Sequence, residues 1–216
     1  MQDTRHTDRT TLVPNAEFAR LASDEQIATA VAALTANGMA AEVVTSGAQA
    51  RSRVLDLLPE GAEVFTSMSR TLDTLGLSEA INESSRYHPL RSQLKALDRQ
   101  TQGREWRKLV SSPEYVVGSV HAVTEQGQVL IASASGSQLA SYVFGAGHVI
   151  WVVGAQKIVR DLGEGFRRVR EYSYPLEHER MHALNGLGSF VAKILVVEHE
   201  RPGRISVLLV KEALGF

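Results

Sequence analysis

The residues best suited to chemistry stand in short polar runs, each following an apolar one. Thr66-Ser67-Met68-Ser69-Arg70-Thr71 comes directly after the apolar stretch ending at Phe65 and opens a helical pattern with Leu72 and Leu75. Hydroxyls, an arginine and free backbone N–H groups at such a turn suit a phosphate or carboxylate, since donors and helix dipole both favour negative charge there. The same Ser and Thr residues also serve as ordinary helix caps. Ser133-Ala134-Ser135-Gly136-Ser137, followed by Gln138, has the same texture. Its small residues permit close backbone approach and its hydroxyls offer further anion or sugar contacts, although a ligand-free tight turn needs no more. Gly154-Ala155-Gln156-Lys157 follows the most apolar run of the chain, so Lys157 emerges at a strand end. Open α/β sheets bind ligands at the carboxyl ends of their strands. Ser67, Ser69, Arg70, Thr71, Ser135, Gly136, Ser137 and Gln138 are therefore candidate ligand-binding residues of one crevice, with Lys157 a catalytic candidate beside them.

Two further constellations compete with that crevice. Glu125, in Val123-Thr124-Glu125-Gln126-Gly127, is a turn carboxylate able to act as a general base or as a nucleophile on an activated acyl group, or simply to be solvated. His121 lies close to it in sequence and joins the ligand-binding candidates. His178-Glu179-Arg180-Met181-His182 matches the HExxH zinc pattern, which on a helix puts two imidazoles on one face and a glutamate beside a metal-bound water. Its context is poor: Pro175 puts His178 in a first helical turn, charges flank it, and Gly188 stands where the extended pattern requires another residue type. No metal is expected.

The elements that must position these groups alternate in kind. Ser23 and Gln26 have capping-box spacing, Ile27, Ala30, Val31 and Leu34 form one helical stripe, and Asn37-Gly38 supplies a stop. A strand over Ala41–Val44, a helix from about Ala48 to Leu58 and a strand over Ala62–Phe65 follow. Helical patterns fill about Leu72 to Ser112, where Arg104-Glu105-Trp106-Arg107-Lys108 reads as a solvated face. Strands are expected at Tyr115–Val117, Val120–Thr124 and Val129–Ala132, with Glu125–Gln128 as a hairpin turn. A short helix over Leu139–Phe144 leads to Val149–Val153, continuous enough to be a strand covered on both faces. A helix with Leu162, Phe166 and Val169 inward and two final strands, Ile194–Val197 and Ile205–Val210, joined at Pro202-Gly203 as a second hairpin, complete the chain. Residues 1–15 read as a polar arm and 16–216 as one α/β domain, a three-layer open mixed sheet flanked by helices.

Composition excludes several function classes. The 216 residues carry 23 Lys+Arg against 24 Asp+Glu, which leaves no electrostatic footprint for nucleic acid. Cysteine is absent, so this chain supplies no thiolate nucleophile and no ligands for an iron–sulfur cluster. No apolar run spans a bilayer and Met1–Thr11 lacks an apolar signal core, so no membrane association and a cytoplasmic location are expected.

Taken together, Val117-Gly118-Ser119-Val120-His121-Ala122-Val123-Thr124-Glu125-Gln126-Gly127, Ala132–Gln138, Val152–Val159 and Pro175-Leu176-Glu177 with Arg180 resemble the LUD domain family, the lactate-utilisation group that includes LutC. The likeness covers about Gln26 to Phe216 and takes in Gly61–Phe65. It implies a fold like the NagB/RpiA/CoA transferase superfamily, makes Glu177 and Arg180 family positions, and renders the HExxH match incidental. Longer relatives carry cysteine motifs for iron–sulfur clusters, so this chain is similar to the short, cluster-free branch. Thr124-Glu125-Gln126-Gly127 is also similar to the Ser-Glu-Asn-Gly motif of CoA transferases, which implies an acyl-accepting role for Glu125. The resemblance implies participation in oxidation of L-lactate to pyruvate as a subunit without a cofactor of its own, beside iron–sulfur protein partners. The alternative is a stand-alone enzyme on an anionic small molecule, whether carboxylate, sugar phosphate or CoA ester, with Glu125 as nucleophile or base; a zinc hydrolase using His178 and His182 ranks below both. A homodimer is left open.

Overall fold

A computed structural model describes residues 12–216; most of the expected polar arm lies outside them. Helix α1 (Asp24–Ala36) starts because Ser23 Oγ accepts from the Gln26 N–H while the Gln26 side chain accepts from the Ser23 N–H, a complete capping box. Strand β1 (Ala40–Val44), α2 (Gly47–Leu57), β2 (Glu63–Thr66), α3 (Arg70–Thr74), α4 (Leu77–Asn82), β3 (His88–Pro89), α5 (Leu90–Ala96) and α6 (Gly103–Ser111) follow. Then come β4 (Tyr115–Gly118), β5 (Ala122–Thr124), β6 (Val129–Ser133), α7 (Ser137–Ala140) and a π turn over Ser141–Gly145. The chain ends with β7 (His148–Gly154), a 3-10 turn over Ala155–Lys157, β8 (Ile158–Val159), α8 (Leu162–Arg168), a second π turn over Val169–Ser173, α9 (Tyr174–Asn185), β9 (Lys193–Val197) and β10 (Ile205–Val210).

Six strands in the order β1-β10-β7-β4-β2-β3 form one sheet in which every pairing is parallel. Its central strand alternates between two cores. Val149, Trp151 and Val153 pack with α1, α5 and α6, whereas Ile150 and Val152 pack with α2, α3 and α4. Burial on both faces explains why the β7 sequence reads as an unbroken apolar run. The three-layer open α/β architecture is therefore present, with one refinement. The antiparallel pairings sit in a second sheet, β8-β5-β6-β9, and not in the main one. One face of that sheet, through Val123, Val129 and Ile131, closes the α1/α5/α6 core; the other, through Ala122 and Leu130, packs with Leu162 and Phe166 of α8. The expected second hairpin does not form. β9 pairs with β6 and β10 with β7 and β1, because β10 is buried like a central strand while β9 is only half-buried.

Pro175 does not open a new helix. From α8 to α9 the backbone stays helical through the π turn, and the Glu171 carbonyl, which the proline nitrogen cannot serve, accepts instead from the Asn15 N–H at 2.8 Å. No helix among the described residues is long and apolar enough to cross a membrane.

Candidate functional site

Strands β2, β4 and β7 are parallel neighbours, so their carboxyl ends at Thr66, Gly118 and Gly154 open on one edge of the sheet. The segments that leave them meet there. Ser67, Ser69, Arg70 and Thr71 after β2, His121 between β4 and β5, Ser135, Ser137 and Gln138 after β6, and Lys157 after β7 all line one cavity of about 350 Å³. Gly136 stays in the wall of the Ser-rich turn, donating its N–H to Ser133 Oγ at 2.9 Å. The hydroxyls of that turn are largely satisfied within it, Ser135 with Ser137 and Ser133 with Gln138.

Lys157 is the most constrained charge of the site. It is 1% exposed, and its Nζ donates to Thr71 Oγ1 and Ser119 Oγ, both at 3.0 Å, with no carboxylate in contact. Burial, with the Arg168 guanidinium second, holds its ammonium well below the usual lysine range. Arg168 is fully buried behind the cleft wall, where it donates to the Gln156 carbonyl, the His121 carbonyl and Ser173 Oγ, while its Nη2 has no partner among the described residues. Burial pulls it down to about 10. Buried cations without carboxylates are costly, since desolvation is not returned by an ion pair. His121 accepts the Ala132 N–H at Nδ1 (3.1 Å), which assigns its proton to Nε2; burial, then Lys157 and Arg168, pull it down to about 3 and keep it neutral.

The opposite wall was not legible in the sequence. Arg91 of α5 donates Nε–H to the Thr66 carbonyl at 2.8 Å and lies 4.9 Å over the Phe65 ring, and Arg99 lies 4.0 Å over Trp106. Both arginines line the cavity. Burial, then the like charge of Arg99, lower Arg91 from the ordinary arginine value. Tyr142, from the first π turn, donates to Ser67 Oγ at 3.1 Å and is pushed up to about 12 by burial. That approach requires Gly118, since a Cβ there would lie 1.8 Å from Tyr142 Oη and 2.5 Å from Ser67 Oγ. Both π turns thus deliver cleft residues, Tyr142 from the first and Val169 and Ser173 from the second. Glu177, the one acidic side chain in the lining, is held by Arg180 through Nε–Oε2 and Nη2–Oε1 contacts of 2.7 Å each.

Glu125 is not brought to the cleft. It sits in the β5–β6 turn, where Oε1 accepts from Gln26 Nε2 of α1 at 2.9 Å and its N–H donates to the Val159 carbonyl. The strand itself causes the separation: His121 and Glu125 flank β5, and four residue steps of about 3.3 Å put them roughly 13 Å apart. Glu125 therefore does not line the cavity that holds the other candidates. His178 Nδ1 is held at 2.8 Å from the Ser189 carbonyl, and no group of three His, Cys, Asp or Glu that could hold a metal occurs among the described residues.

The sequence pattern of the LUD domain matches residues 27–210, most of the chain. The chain belongs to the LUD domain family. That family is associated with lactate utilisation proteins. Among solved structures, this LUD-domain chain is similar to the crystal structure of a DUF162 family protein from Deinococcus radiodurans, at 14% identity and a TM-score of 0.54, over 88% of this chain and 99% of that one. The likeness shows the shared fold. None of the curated proteins matches this LUD-domain chain significantly.

Proposed function

We propose that this LUD-domain chain takes part in lactate utilisation by binding a small carboxylate of the lactate or pyruvate class in the β2/β4/β7 cleft, as a subunit that itself carries out no electron transfer and works beside iron–sulfur proteins. One observation carries this reading: the cavity is lined by Arg70, Arg91, Arg99, Lys157 and Arg180, of which only Arg180, held by Glu177, and Arg70, 3.9 Å from Asp73, have a carboxylate partner among the described residues. Arg91 and Arg99 carry like charges close enough to oppose each other, and an anion between them relieves that repulsion. Guanidinium groups suit a carboxylate because their planar fork offers paired N–H donors. The absence of cysteine is consistent with leaving the electrons to partner proteins.

Cavity size favours a second reading, an enzyme acting alone on a larger anion such as a sugar phosphate or CoA ester. A carboxylate the size of lactate occupies on the order of 100 Å³, judged against about 30 Å³ for a water molecule, whereas the cavity measures about 350 Å³ and also shows Met68, Trp106 and Phe190. Thermal unfolding of the purified chain with L-lactate, pyruvate, inorganic phosphate, a sugar phosphate or acetyl-CoA separates the two. Stabilisation by lactate or pyruvate at lower concentration than by the phosphates supports the first. Stabilisation by phosphorylated compounds alone transfers the assignment to the second.

A further inference from the structure

Anion binding alone does not account for the surroundings of Lys157. An anchoring ammonium is best served by acceptors and an opposing charge, yet this one has two neutral hydroxyls and a buried cation, Arg168, on its inner side. Thr71 Oγ1 gives its own hydrogen to the Leu214 carbonyl at 3.1 Å, so towards Lys157 it can only accept. Ser119 Oγ has no other partner among the described residues and can either give its hydrogen to the amine or receive one from it. The amine therefore stands in the cleft wall with one fixed acceptor and one proton relay.

We propose that Lys157 forms a reversible imine with the carbonyl carbon of a 2-oxo acid whose carboxylate is held by the arginines of the same cleft. The proposal rests on the carboxylate-binding reading above and adds a covalent step to it. A lysine amine is nucleophilic only when unprotonated, and desolvation beside a second cation is the environment that produces this state. The substrate class follows from the two recognition elements together: an amine selects a carbonyl, and arginines select a carboxylate.

The step balances without a further reactant. The Nζ lone pair forms the C–N bond, the carbonyl π pair moves to oxygen, and that oxygen takes a proton from Ser119, which recovers one from the now cationic nitrogen. The resulting hydroxyl leaves as water while the nitrogen pair closes the C=N bond. The proton needed for departure passes through Ser119 and is returned by the iminium N–H, so one amine and one carbonyl give one imine and one water.

The test is reductive trapping on the intact chain. Pyruvate is added with sodium cyanoborohydride, and intact mass and peptide mapping locate any adduct; thermal unfolding with pyruvate is measured in parallel. The expected result is one added mass per chain, equal to pyruvate less one oxygen atom, on Lys157, with the exposed Lys108 unlabelled and no labelled peptide in Lys157→Arg. Stabilisation by pyruvate with no Lys157 adduct, or with Lys108 labelled equally, overturns the imine and leaves the anion-binding reading standing. Neither stabilisation nor adduct removes both.

Discussion

The two ends of strand β5 have opposite characters. At one, His121 looks onto a cleft in which Arg180 is paired with Glu177 and Arg70 lies 3.9 Å from Asp73, while Arg91, Arg99, Lys157 and the buried Arg168 just behind have no carboxylate partner among the described residues. At the other, Glu125–Gln128 is a turn whose groups are spent on α1: Glu125 on Gln26, the Gln126 carbonyl on Asn37, and Gly127 against the backbone of Ala33 and Leu34. The first end carries unpaired charge that stability alone does not explain; the second is a fully used clamp. Residue type did not distinguish them, because a carboxylate beside a glycine reads as reactive in sequence while its partner lies far along the chain.

Four changes probe the contrast. Arg91→Met is expected to have the largest effect, on binding: losing a desolvated charged contact to the ligand costs about 2–5 kcal/mol, a weakening of at least about thirtyfold in titration calorimetry with the stabilising carboxylate. Retained affinity would move the carboxylate site away from Arg91. At the clamp, Gly127→Ala is expected to lower stability by about 2–4 kcal/mol, because φ is +76° and the new Cβ would lie 2.5 Å from the Ala33 carbonyl carbon. Urea unfolding measures the loss, and ligand affinity of the folded fraction should not change.

The third change concerns pH. His121 is held at about 3 in the native chain against 6.5 when unfolded, so between these values the unfolded state binds more protons. Its contribution is complete above pH 6.5 and is lost on acidification, by up to about 1.4 kcal/mol per pH unit. Denaturant titrations across this range should show a shallower acid slope for His121→Gln than for wild type; equal slopes would mean that His121 titrates normally. Glu125→Gln closes the series. The amide oxygen still accepts from Gln26, so the expected change is within about 0.5 kcal/mol in stability, with no change in ligand affinity. A loss of ligand affinity would return Glu125 to the site.

Much of the frame was legible in the sequence because its signals are local. The capping box at Ser23 and Gln26, the apolar run of β7 and the turn over Glu125–Gln128 all depend on neighbours a few residues away. Convergence of the Ser67–Thr71 turn and Lys157 was legible from the strand-end rule applied to a parallel sheet, whereas the Ser-rich turn after β6 reaches the same cavity from the second sheet, where β6 is paired antiparallel on both sides. What escaped was set by distant contacts. Strand β3 is only His88–Pro89, too short to carry a pattern, and β9 and β10 diverge because each finds a better partner elsewhere. Lys157 ends a 3-10 turn and directly precedes the two-residue strand β8. Arg91 and Arg99 resemble any helix-surface arginines until the fold brings Phe65 and Trp106 beneath them. The π turns that present Tyr142 and Ser173 have no sequence signature of their own.

Selection of negative charge on a small ligand by the cleft can be measured directly. Titration calorimetry of the wild-type chain with pyruvate and with its neutral amide, pyruvamide, compares two ligands that differ in charge with little change in shape. Saturable binding of pyruvate with none by pyruvamide is the predicted result. Equal binding of the two, or binding of neither, would contradict charge selection of a small carboxylate by the cleft.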